Sequence, residues 1–190
     1  MHDGADHRGR KHAPLAGAAV GAIGGLLGAW VMVQVNHLIG PTDASESRRE
    51  THHNASPNDT DGTFSDEPAT MQAASRVSET LAGYPLTRRG KRIGGPVVHY
   101  AFGAATGAFY GALAEWQPSA AAGAGVPFGA AVWLIADEVG VPLAGFSGPP
   151  TDYPFARHAS ALGSHLAFGL TVEGIRRLML GRAYDSERGD

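Results

Sequence analysis

Residues 13–35, APLAGAAVGAIGGLLGAWVMVQV, contain no ionisable side chain. As an α-helix rising 1.5 Å per residue, such a run reaches about 30 Å, the thickness of a bilayer core. It is longer than the apolar region of a signal peptide, and no A-x-A-like cleavage pattern follows it. The run therefore predicts an uncleaved membrane helix over 13–39, preceded by a polar tail, 1–12, that carries Arg8, Arg10 and Lys11.

The mean hydropathy of the whole chain resembles that of a soluble protein, but the apolar and polar residues are segregated along it. Residues 40–66 are rich in Ser, Thr, Asp, Asn and Pro, cannot bury a core, and read as a disordered polar loop. The adjacent His52 and His53 fall there and read as solvated. Residues 67–83 carry an apolar stripe of Met71, Ala74, Val77 and Leu81 beside Arg76 and Glu79. Asp66 or Pro68 would start this helix and Gly83 would end it, giving an amphipathic helix too short to span. A basic cluster, TRRGKR, then leads into a second apolar segment, 93–116. A short turn with Ser119 as an N-cap opens a third, 119–141, with Pro127 inside it. Glycines and prolines mark 142–157 as loop. A fourth segment covers 158–180, and a charged tail, 181–190, closes the sequence. The expected fold is an all-α membrane protein: four transmembrane helices in an antiparallel bundle, one amphipathic helix and a disordered loop. A soluble bundle would need a charged face on each helix, and these segments lack one.

The chain has 27 glycines in 190 residues, and many recur at spacing four: Gly17, Gly21 and Gly25; Gly103, Gly107 and Gly111; Gly125 and Gly129. Lipid supplies no hydrophobic force between helices, so close backbone approach must provide the dispersion contacts, and small residues at this spacing permit it. Packing within the bundle is the simpler expectation; a homo-oligomer through the first span, or another membrane protein as partner, is the alternative.

With an even number of spans, both termini lie on one side of the bilayer. His99 near the start of the second span, Asp137 and Glu138 near the end of the third, and His158 and His165 early in the fourth then fall in one leaflet. Counted from Ser119, Asp137 lies about 27 Å along its helix, near the far end. His158 and His165 share a helix face to within about 20°, and His99 is placed to face His165. Of the two carboxylates, Asp137 is expected to point toward this centre, with Glu138 reaching toward the headgroups or the 142–157 loop. Glu115 and Glu173 form a second polar group toward the other leaflet, near Arg176 and Arg177. Ionisable groups at such depths usually face protein or a water-filled cavity. Three roles fit: helix-end hydrogen bonding, a proton-responsive cluster, or a metal or haem site. The spacing matches no metal motif such as H-E-x-x-H, so no cofactor is expected and haem or metal is the alternative.

A net charge of −3 argues against a nucleic-acid partner. The absence of cysteine excludes disulfides, iron–sulfur clusters and thiol catalysis. No nucleophile motif or phosphate loop appears, and the expectation is a non-enzymatic protein.

The segments VVHYAFGAATGAFYGALAE, ADEVGVP and GPPTDYPFARHASALGSHLAFGLTVEGIRR resemble the YagU family, also called DUF1440. The resemblance covers about two thirds of the chain, from residue 67 onward. It implies a small multi-pass protein of the bacterial cytoplasmic membrane and carries no reaction or catalytic residue. Its segments contain His99, Asp137, Glu138, His158, His165 and Glu173. Basic residues near the two termini predict that both are cytoplasmic under the positive-inside rule, although Arg88, Arg89, Lys91 and Arg92 pull the other way.

Overall fold

The computed structural model describes residues 6–39 and 67–188, with side chains for 14–39 and 67–181. Among these residues every regular element is helical, with no strand. The polar loop with His52 and His53, and the side chains of Arg8, Arg10 and Lys11, lie outside the described residues.

Helix α1 covers Asp6–Ile39, so the helix begins ahead of the expected 13–39 span and includes much of the polar tail. Helix α2, Ala69–Ala82, ends at Gly83, whose φ of 82° is the left-handed conformation that glycine adopts without penalty. Helix α3, Arg88–Trp116, takes the basic cluster into its first turns; the Thr87 hydroxyl caps it by accepting from the Gly90 N–H at 3.2 Å. The expected 142–157 loop shrinks from both ends: a short helix covers Val141–Leu143 and the last helix starts before His158. That last helix, α6, covers Phe155–Arg188 and absorbs most of the expected tail.

The third apolar segment departs most from its expected 119–141 form. A short 3₁₀ turn over Pro118–Ala121 is followed by a break. Gly123, Ala124 and Gly125 take φ of 75°, 56° and 83°; the glycines do so freely, and Ala124 is the uncommon case. Helix α4 then covers Val126–Val132, with Pro127 in its first turn, where no N–H is needed. It continues as a π-helical segment, Trp133–Gly140, and ends as α5, Val141–Leu143. Pro142 gives a local reason for the wider turn. It has no N–H to donate and its ring crowds the carbonyl four residues back, at Glu138. The Val141 N–H reaches the Ala136 carbonyl, five residues back.

Glycines set the packing. A Cβ at Gly17, Gly21 or Gly25 of α1 would collide with the backbone carbonyl of Gly111, Gly107 or Gly103 of α3, and the approach is reciprocal. The order of these contacts makes α1 and α3 antiparallel. The neighbouring line of α1 meets α6: a Cβ at Gly24 would lie 3.1 Å from Val172 backbone, and one at Gly28 would lie 2.7 Å from the Phe168 ring. Gly125 and Gly129 press in the same way on the backbone at Gly169 and His165. Helix α1 thus lies between α3 and α6, and the α4–α5 segment flanks α6 on its other side. Tyr110 of α3 reaches across to stack on Phe128 of α4, ring centroids 4.4 Å apart, and Phe128 leans on Phe168 at 5.9 Å.

While glycines face inward, large apolar side chains face outward, among them Leu26, Trp30, Phe109, Leu134 and Ile135. Helix α2 crosses the start of α3, where Gly94 and Gly95 leave room for Ala74 and Met71. The Gln72 side-chain amide ties α2 to the loop after α5 by donating to the Phe146 carbonyl at 3.0 Å.

Candidate functional site

Antiparallel packing gathers the C-terminal end of α1, the start of α3, the end of the α4–α5 segment and the start of α6 at one end of the bundle. His99, Asp137, Glu138, His158 and His165 all lie toward that end, but they do not form one contact cluster. His158 and Glu138 meet directly, with Nδ1 2.7 Å from the carboxylate oxygen. The other nitrogen of His158, Nε2, is 3.0 Å from the Pro150 carbonyl oxygen. Both ring nitrogens therefore face oxygen acceptors. Nε2 must carry a hydrogen to donate to the carbonyl, and a second proton must lie between Nδ1 and Glu138. That pair fastens the π-helical segment to α6 and to the 3₁₀ turn at Pro150–Asp152.

His165 is buried, and its Nδ1–H donates to the Ala161 carbonyl at 2.8 Å. His99 donates from Nε2 to the Ala29 carbonyl at 3.1 Å, tying α3 to α1. The two rings do not bond each other; with Asp137 they line one groove of about 610 Å³ between α3 and the α4–α5 segment. Asp137 also lines a second chamber of about 620 Å³, shared with Glu138 and His158 under the 144–154 loop. The break after Ala121 shortens the continuous helix ahead of Asp137. Counted from Val126, where the continuous helix starts, Asp137 lies about 17 Å along at the α-helical rise, rather than 27 Å. The Trp133 Nε1–H on the same π segment is buried with no hydrogen-bond partner among the described residues. Among the described residues, no three His, Asp or Glu side chains come together as a metal site requires.

At the opposite end, Glu173 is 1% exposed and heavily bonded. It accepts from the Tyr110 hydroxyl at 3.0 Å, from Arg176 Nε at 2.7 Å and Nη2 at 3.0 Å, and from Arg177 Nε. Arg176 also reaches Glu115 of α3 at 2.8 Å. A buried carboxylate is tolerated when paired and hydrogen-bonded in this way. The sequence placed the two glutamates near the arginines and missed Tyr110, which reads there as one more aromatic in an apolar helix. It also missed Arg157, which lines both cavities and stacks on the Tyr153 ring at 3.8 Å.

These features define a class: an all-helical protein in which two helices, Pro14–Ile39 and Val126–Leu143, are long and apolar enough to cross a membrane. Only 6% of the apolar window in Val126–Leu143 is buried, unlike the core helix of a soluble protein. Residues 66–174 match the model of the DUF1440 family, described as a protein of unknown function. That match spans more than half of the 190 residues, and the chain belongs to this family. It includes His99, Glu115, Asp137, Glu138, His158, His165 and Glu173 and leaves out α1, Arg176 and Arg177. No curated relative and no solved structure matches the chain.

Proposed function

We propose that this chain is a multi-pass protein of the bacterial cytoplasmic membrane, non-enzymatic, that responds to protons through the His/carboxylate groups at one end of its bundle. In this reading α1, α3, the α4–α5 segment and α6 all cross the bilayer, and both termini are cytoplasmic. The inward glycines and outward large apolar side chains support the crossing of all four. Helices α3 and α6 are less apolar than the other two because they carry polar groups, of which His99, Glu115, His165, Glu173 and Arg176 face protein or cavity.

The observation that carries the proton reading is the geometry of His158. With both ring nitrogens against acceptors, the contact between α6, Glu138 and the Pro150 turn holds a shared proton, and its loss leaves a lone pair facing a carboxylate. The protein, reconstituted in nanodiscs, tests this. Amide exchange over residues 146–154 is followed between about pH 5 and pH 8, after correction for intrinsic rates. A protection step in the wild type that disappears in Glu138→Gln supports the reading. Identical profiles in the two proteins overturn it.

A further inference from the structure

The chamber under the 144–154 loop and the groove between α3 and α4 adjoin: Asp137, Arg157, Val141 and Phe146 line both. The two halves differ in chemistry. The groove is walled mainly by apolar side chains such as Ala136 and the half-exposed Phe102. Beyond it the stacked Tyr110 and Phe128 rings bridge α3 and α4. The chamber is lined by four charged side chains in addition to His158. Glu67 is paired with Lys91 at 2.8 Å, and Glu138 with His158 at 2.7 Å. That leaves Asp137 and Arg157. Among the described residues the Asp137 carboxylate has no hydrogen bond or ion pair, with His165, Arg157 and His158 acting on it only through charge, and the Arg157 guanidinium contacts only the face of Tyr153. One carboxylate and one guanidinium, each with unused hydrogen-bonding capacity, thus stand where a polar chamber meets an apolar groove.

We propose that this space holds one bilayer phospholipid with a zwitterionic, ammonium-bearing head. Its phosphate bonds Arg157, its ammonium bonds Asp137, and an acyl chain enters the groove. The proposal rests on the membrane reading above and extends it to a ligand. The groove's volume suits a bound small molecule, and its exposed wall at Phe102 is where an acyl chain would enter. Charge complementarity selects the head. An anionic lipid would engage Arg157 but bring like charge toward Asp137, and a cationic amphiphile would do the converse.

The test is native mass spectrometry of the full chain in a non-ionic detergent, titrated separately with phosphatidylethanolamine and phosphatidylglycerol of the same acyl chains. The expected result is one phosphatidylethanolamine per chain, bound about tenfold more tightly than phosphatidylglycerol, the scale of one charge-assisted hydrogen bond. Asp137→Asn should abolish that preference, and Ala136→Trp, which fills the groove, should weaken both lipids. Equal binding of the two lipids by the wild type, or a preference for phosphatidylglycerol, overturns the proposal without calling on any variant. An undiminished preference in Asp137→Asn also overturns it. A wild type that stays dispersed without detergent overturns the membrane reading itself, which is a separate outcome.

Discussion

Gly21 of α1 and Gly107 of α3 meet backbone to backbone: a Cβ on either would collide with the carbonyl oxygen of the other. The same relation holds at Gly17 with Gly111 and at Gly25 with Gly103, so the two helices are in contact over more than two turns with nothing between them. Substitution here cannot be absorbed by a side-chain rotamer, since the obstacle is main chain. Gly107→Leu should therefore force the helices apart and lower stability by about 3 kcal/mol or more, the upper end of overpacking effects. Gly174→Ala, where an added Cβ meets nothing within 4 Å, should be neutral or slightly stabilising. Thermal unfolding in detergent, read by circular dichroism, separates the two.

Glu173 is the most heavily bonded buried carboxylate described, and its partners come from two helices. Glu173→Ala leaves Arg176 partly buried with one of its two carboxylates gone, and should destabilise by about 3–5 kcal/mol. Tyr110→Phe removes one hydrogen bond to a charged acceptor while keeping the stack on Phe128, and should cost about 1.5–3 kcal/mol. The same unfolding assay checks the ranking; a Tyr110→Phe effect as large as that of Glu173→Ala would mean that the ring is displaced rather than merely stripped of its hydroxyl.

Pro142 is the local cause assigned to the π-helical turn that carries Asp137 and Glu138. Restoring the N–H with Pro142→Ala should let the segment tighten toward an α-helix and turn Glu138 away from His158. The expected signature is loss of the His158 ring-proton resonance hydrogen-bonded to the carboxylate, observed by ¹⁵N-edited NMR in detergent micelles. A resonance unchanged from the wild type would show that the wide turn has another origin.

Helical content and the glycine lines were legible because each depends on local composition and spacing. The bends were not. GAGVP at residues 123–127 reads as one more glycine-containing stretch of an apolar helix, and only the backbone reveals three consecutive left-handed residues there. That break moved the start of the continuous helix to Val126, closer to Asp137. The π segment shifted angular positions as well, because 100° per residue holds only for the α-helix. For the candidate site, spacing brought the histidines and carboxylates to one end of the bundle but could not assign partners. His99 finds a carbonyl of α1, His165 a carbonyl of its own helix, and His158 a carboxylate with a loop carbonyl. Arg157 was passed over because it falls in a stretch read as loop, although its side chain helps to wall both cavities.

A bundle that spans the bilayer puts its two ends on opposite sides of the membrane. The chain has no cysteine, so single cysteines can be introduced without a background. Ser119→Cys marks the end that carries Glu173, and Thr151→Cys and Thr80→Cys mark the end that carries His158. In intact cells, a thiol reagent that cannot cross the membrane should label Thr151→Cys and Thr80→Cys alike and leave Ser119→Cys untouched until the cells are opened; with the termini outside, the pattern would invert but stay split. Labelling of Ser119→Cys and Thr151→Cys from the same side would contradict the spanning bundle.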